Sequence, residues 1–165
     1  MVSGSAKGDF WIFWGKMNYL TKIKKIRFYL IILLVLFLDQ LTKLLFGFKE
    51  VELIPKILYF KTSLNPGIIF GWFAYNKIII YLIPLLIIIA MFIYYKKYKN
   101  VIITLGASLI TAGLIGNIID RVRLGYVIDF IFIPVLPEYN ISSTNIADIS
   151  LIVGVILLIY YNTKR

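Results

Sequence analysis

Four apolar stretches, each long enough or nearly long enough to cross a bilayer, limit what this chain can fold into. They cover residues 28–46, 78–95, 101–119 and 146–161. A hydrocarbon core is about 30 Å thick and a helix rises about 1.5 Å per residue, so about 20 apolar residues span it. The fourth stretch is the shortest and fits a thinned region or an earlier start. Only 16% of the 165 residues are charged and 61% are hydrophobic, with a mean hydropathy of +0.88. A soluble domain of this size needs more polar surface. The expected fold is an all-α membrane protein: four transmembrane helices with a small extended or β element on the outer membrane surface.

The first stretch has a basic leader but no small-residue cleavage site, and it continues through the charged run Asp39-Gln40-Leu41-Thr42-Lys43, so a retained helix is expected rather than a cleaved signal peptide. Residues 1–16 do not match the rest of the chain, and Met17 opens a lysine-rich run resembling a natural start. They read as an added leader, with Trp11 and Trp14 as an alternative interfacial anchor, and residues 17–165 as a single membrane-embedded domain.

The net charge of +10 lies in short runs between the apolar stretches, which is the pattern of membrane topology and not of a nucleic-acid face. Lys22, Lys24, Lys25 and Arg27, then Lys96, Lys97 and Lys99, then Lys164 and Arg165 fall on one side of a four-span layout. That side is expected to be cytoplasmic, with both termini. The outer segments are then 47–77 and 120–144. In the first, VELIPKILYF has strand-like content broken by Pro55; the second, with Pro134 and Pro137, also reads as extended.

The chain has no Cys and no His. Thiol nucleophiles, Cys/His zinc sites and imidazole-based triads are excluded, leaving carboxylates, a Ser/Lys pair or an all-oxygen metal site. No metal and no cofactor are expected. Intramembrane acids are costly and mark function by default. Setting aside Asp9, Glu50, Glu52 and Glu138 in the leader and loops, Asp39, Asp120, Asp129 and Asp148 all gather near the expected outer leaflet. Ser108, Ala112 and Gly116, spaced by four, form a small-residue stripe that admits a neighbouring helix. Gly113, Asn117 and Asp120 share one helix face.

Each polar residue also has a structural account. Asp39 and Lys43 at i, i+4 neutralise one another; Asn145 with Asp148 reads as an N-cap with a capping-box partner; Asp120 and Arg121 read as an orienting ion pair; Asn65-Pro66-Gly67 is a turn signal. Asp129, inside YVIDFIFI, is neither cap nor turn and has no basic neighbour in sequence. Two carboxylates held close share a proton and can activate water, which is aspartic-protease chemistry needing neither His, Cys nor metal. Asp129 and Asp148 are the pair least well explained structurally. A small non-enzymatic transporter or ion-path bundle is the alternative, and it would want acids at several depths.

The motifs DQLTK (39–43), NPGIIFG (65–71), GNIIDRVRLGYVIDF (116–130) and NIAD (145–148) resemble, in this order, those of lipoprotein signal peptidase (signal peptidase II), over residues 17 to the C-terminus. The resemblance implies a bacterial inner-membrane aspartic endopeptidase that removes the signal peptide from a prolipoprotein, just before a cysteine carrying diacylglycerol. It assigns catalysis to Asp129 and Asp148 near the outer leaflet. Asn65, Gly67, Asn117, Arg121 and Asn145 are implied to bind or orient substrate, with Asp39, Lys43 and Asp120 as structural polar positions. The partners it implies are the prolipoprotein, membrane lipid and a globomycin-type cyclic peptide inhibitor, with no nucleic acid and a monomeric enzyme. Thr144 stands where the family usually has Phe.

Overall fold

The computed structural model describes residues 5–67, 76–98, 100–134 and 143–164, with side chains described for residue 19 and from residue 21 on. Pro137 and Glu138 lie outside the described residues. Helix α1 runs Ser5–Phe46, strand β1 Val51–Ile54, β2 Leu58–Asn65, helix α2 Ile83–Lys97, α3 Val101–Leu124, β3 Val127–Phe132 and α4 Ile146–Thr163. Among the described residues, four helical segments are long and apolar enough to cross a membrane: Thr21–Phe46, Ile78–Lys97, Val101–Leu124 and Ile146–Thr163. The expected architecture is the observed one, a four-helix membrane bundle with a three-stranded antiparallel sheet.

Helix α3 is the central element. Of its most apolar window 61% is buried, against 22%, 17% and 17% for the others, so α1, α2 and α4 turn most of their apolar surface toward lipid. Lipid tails are as apolar as Leu, so helices associate through close packing more than through hydrophobic exclusion. Glycines provide that closeness between α3 and α4. A Cβ on Gly113 would stand 2.3 Å from Ala147 O, and one on Gly154 2.8 Å from Gly106 O. The expected stripe serves other neighbours. Ala112 joins a core with Phe28, Ile32, Tyr95 and Ala107. Gly116 makes room for Asp39, whose Oδ2 would lie 2.8 Å from an added Cβ.

The helix ends follow local chemistry. Asn100 caps α3 by accepting from Ile102 N and Ile103 N, and Gly125, at φ 86°, takes the left-handed conformation that closes it. The helix therefore continues past residue 119 to Leu124, one turn beyond the sequence estimate. Ile78–Leu82 wind as a π-helical turn before α2; Pro84, without an N–H, cannot bond back to the preceding turn. Helix α1 starts at Ser5, so its backbone includes most of the stretch set aside as a leader.

The sheet order is β1-β2-β3. Pro55 interrupts the strand as expected and forms a hairpin turn. Lys56, at φ 62°, is held by its N–H donating to Glu52 Oε1 and to the Tyr59 hydroxyl. Phe60 packs on Phe46 and Phe130, with ring centroids 4.7 and 5.5 Å away, docking the sheet on the end of α1. At the other end of the bundle Lys24 Nζ donates to Tyr95 O and, at 2.7 Å, to Tyr98 O. The basic segment of α1 thus lies beside the end of α2.

Candidate active site

Strand register begins the site. Ser63 pairs with Asp129 and Asn65 with Val127. Residues two apart share a strand face, so Asn65 lies diagonally across from Asp129. On the other side of β3, Thr144 is bonded to Ile131 in both directions and accepts from Phe130 N. Asp129 is thus fixed between β2 and the segment that leads into α4.

Both of its oxygens have donors: Asn145 Nδ2 reaches Oδ1 at 2.5 Å and Asn65 Nδ2 reaches Oδ2 at 3.2 Å. The carboxyl is 1% exposed. Burial, and next the charge of Asp148, push its pKa up from 3.8 to about 7, against the opposing amide donors. Asp148 is half-buried, with Oδ1 accepting from Asn117 Nδ2 at 2.7 Å and Oδ2 from the Thr144 hydroxyl at 3.4 Å.

Two asparagines join the acids. Asn145 Oδ1 accepts from Asp148 N at 2.8 Å, the expected N-cap. The reciprocal half of a capping box is replaced, because the Asp148 carboxylate points to Asn117 and Thr144. Asn117 Oδ1 accepts from Asn145 Nδ2 at 3.2 Å and Lys43 Nζ at 3.3 Å. With its oxygen so engaged, Asn117 presents its NH₂ to Asp148.

Lys43 anchors the layer beneath. Its ammonium is 2.9 Å from Asp39 Oδ2 and 2.8 Å from Asp120 Oδ2, and all three groups are buried. With Asn117 as third acceptor, its three N–H donors are used. Asp39 has a further role, since its Oδ1 accepts from Ala147 N at 2.9 Å. That satisfies a free N–H in the first turn of α4 and places an anion at a helix N-terminus. The expected Asp39–Lys43 neutralisation is observed, but the expected Asp120–Arg121 ion pair is not. Asp120 pairs with Lys43, because adjacent helix residues point about 100° apart.

Arg121 turns the other way. Its Nη2 donates to Gly67 O at 2.5 Å and Nη1 to Asn117 O at 3.4 Å, while Nε is buried without a partner among the described residues. Asn65 Oδ1 accepts from Gly67 N at 3.0 Å, so the turn expected at Asn65-Pro66-Gly67 forms and holds Asn65 toward Asp129. Asp39, Lys43, Asn65, Asn117, Asp120, Arg121, Asp129, Asn145 and Asp148 are therefore in one connected network, to which Gly67 contributes its backbone. Gln40 belongs to the network too, although the sequence reading does not single it out. It donates to Asp39 and Asp120 and accepts from Arg123; an amide within an apolar helix is its signal.

A family model for signal peptidase (SPase) II matches residues 31–164. The chain belongs to the signal peptidase II family. It is 37% identical over 136 residues to a lipoprotein signal peptidase of Clostridium novyi, covering 78% of this chain and 92% of that one. It is 38% identical over 150 residues to one of Lactobacillus johnsonii, covering 86% and 95%. Two solved bacterial membrane enzymes share the fold: at TM-score 0.76 with 33% identity, covering 83% of this chain and 87% of that one, and at TM-score 0.72 with 33% identity, covering 81% and 90%. Membership makes the chain a multi-pass membrane protease of lipoprotein processing. Within this signal peptidase II chain, the Thr144 hydroxyl stands beside Asp148.

Proposed function

We propose that this chain is an aspartic endopeptidase that removes the signal peptide from diacylglyceryl-modified prolipoproteins, with Asp129 and Asp148 as the catalytic pair. The observation that carries this reading is the Asp129–Asn145–Asn117–Asp148 bridge: two carboxylates joined through amides, with Asp129 buried and Asp148 half-open. Burial and the neighbouring Asp148 raise the Asp129 carboxyl to about 7, so that it carries a proton up to the neutral range, and we assign it as the acid. Asp148, the more exposed residue of the two, is assigned as the base. Asp148 takes a proton from water, the hydroxyl adds to the scissile carbonyl carbon, and Asp129 gives its proton to the carbonyl oxygen. Collapse of the diol returns that proton to Asp129, while the proton on Asp148 goes to the departing amine.

Arg121 and the Asn65–Gly67 turn would hold the substrate backbone. The sheet end of the bundle would face outward, with both termini cytoplasmic as the Lys/Arg runs indicate. Lipid chains of the substrate would stay in the membrane while its peptide bond meets the pair. The cyclic peptide inhibitor globomycin would compete at this site, and the enzyme would work as a monomer without a cofactor. The test is cleavage of a lipid-modified prolipoprotein by purified protein carrying Asp129→Asn or Asp148→Asn. Each should lose about 10²-fold or more in turnover; near-normal turnover in either removes the assignment.

A further inference from the structure

A cleft of about 400 Å³ lies between α1 and α3, away from Asp129 and Asp148, neither of which lines it. Its apolar wall on α1 comes from Phe37, Leu41 and Leu44, positions on one helix stripe that rises about 10 Å. Phe37 and Leu44 are 62% and 79% exposed, so this wall is open to lipid. Its polar floor is Gln40, Lys43, Asp120 and Arg123. Lys43 and Asp120 are buried and paired with one another, leaving the exposed Arg123 as the charge the cleft presents.

Arg123 donates from Nη1 to Gln40 Oε1 at 3.2 Å. A guanidinium has five N–H donors in a fork that suits phosphate, and this is the one bond it makes among the described residues. It lies in the last turn of α3. That helix has 24 residues and is about 36 Å long, so its last turn overshoots a hydrocarbon core of about 30 Å and lies at headgroup level. A cation bonded at Gln40, with Leu41 beside it and Phe37 about one turn deeper in the hydrocarbon, complements the phosphate and acyl chain of a phospholipid.

We infer that this cleft binds one anionic glycerophospholipid, with its phosphate on Arg123 and an acyl chain along Leu41 and Phe37. Neither Asp129 nor Asp148 lines the cleft, so the lipid is bound as a resident of the fold and not as a substrate.

The test is native mass spectrometry of the detergent-purified protein titrated with phosphatidylglycerol, beside diacylglycerol of the same chains. The wild type should retain one phosphatidylglycerol, at least about fivefold more strongly than diacylglycerol, and Arg123→Gln should lose that preference. Arg123→Lys should keep part of it, and Leu41→Trp, which fills the cleft without changing charge, should weaken both lipids. Equal retention of the two lipids by the wild type overturns the inference. So does undiminished phosphatidylglycerol binding in Arg123→Gln, or, should that variant not fold, in Leu41→Trp.

Discussion

Changing Asp129 to Asn removes one ionisable proton from a position that is 1% exposed and preserves the side-chain shape. In the native protein burial and the neighbouring Asp148 raise the carboxyl from 3.8 to about 7. At about 1.36 kcal/mol per pKa unit, holding the ionised form there costs up to about 4 kcal/mol above neutral pH. Between 3.8 and about 7 the native state keeps a proton that the unfolded state releases, so wild-type stability falls as pH rises through that window. The Asn variant has no such proton and escapes that fall. Against this, its NH₂ must confront either Asn145 Nδ2 or Asn65 Nδ2, both of which donate to Asp129, so one hydrogen bond is lost at about 1–2 kcal/mol. The two effects nearly cancel at about pH 5, and the variant is the more stable by about 2 kcal/mol at about pH 8. Thermal unfolding in one detergent at the two pH values measures the difference. A stability gap that is the same at both would refute the claim that Asp129 is held protonated by its surroundings. The same preparations, assayed for cleavage, should be inactive, which separates the catalytic loss from any loss of fold.

Two further substitutions probe the support of the site. Lys43→Ala strands two buried carboxylates, Asp39 and Asp120, and should cost about 3–5 kcal/mol in unfolding experiments; a cost under about 1 kcal/mol would mean that solvent reaches this triad. Gly113→Ala puts a methyl 2.3 Å from Ala147 O, so α3 and α4 must part, at a cost of about 1–3 kcal/mol measured by chemical unfolding, and the Asn117–Asp148 bond should loosen with a fall in turnover.

The four spans and the strand-like segment were legible because apolar length and β-branched content are local properties of the chain. The polar residues were equally visible, since an acid or amide in an apolar run stands out wherever the chain goes. The absence of Cys and His narrowed the chemistry before any contact was known. Spacing along one helix also found the Asp39–Lys43 pair and the Asn145 cap, both within a single turn.

What spacing could not find is how elements face one another. Asp120 and Arg121 are neighbours in sequence and point apart in space; the partner of Asp120 comes from α1 and that of Arg121 from the turn after β2. The close α3–α4 approach fell on Gly106, Gly113 and Gly154, because the rotation of α3 about its axis is set by three neighbouring helices at once. Asp129 is the clearest case. Its sequence neighbours offered no cap, turn or counter-charge, and its partners Asn65 and Asn145 are 64 and 16 residues away. Sequence by itself determined which residues are expensive to bury in a membrane. Tertiary structure decided which of them share the cost, because hydrogen-bond partners are chosen by distance in space and the sheet register and helix rotation set those distances.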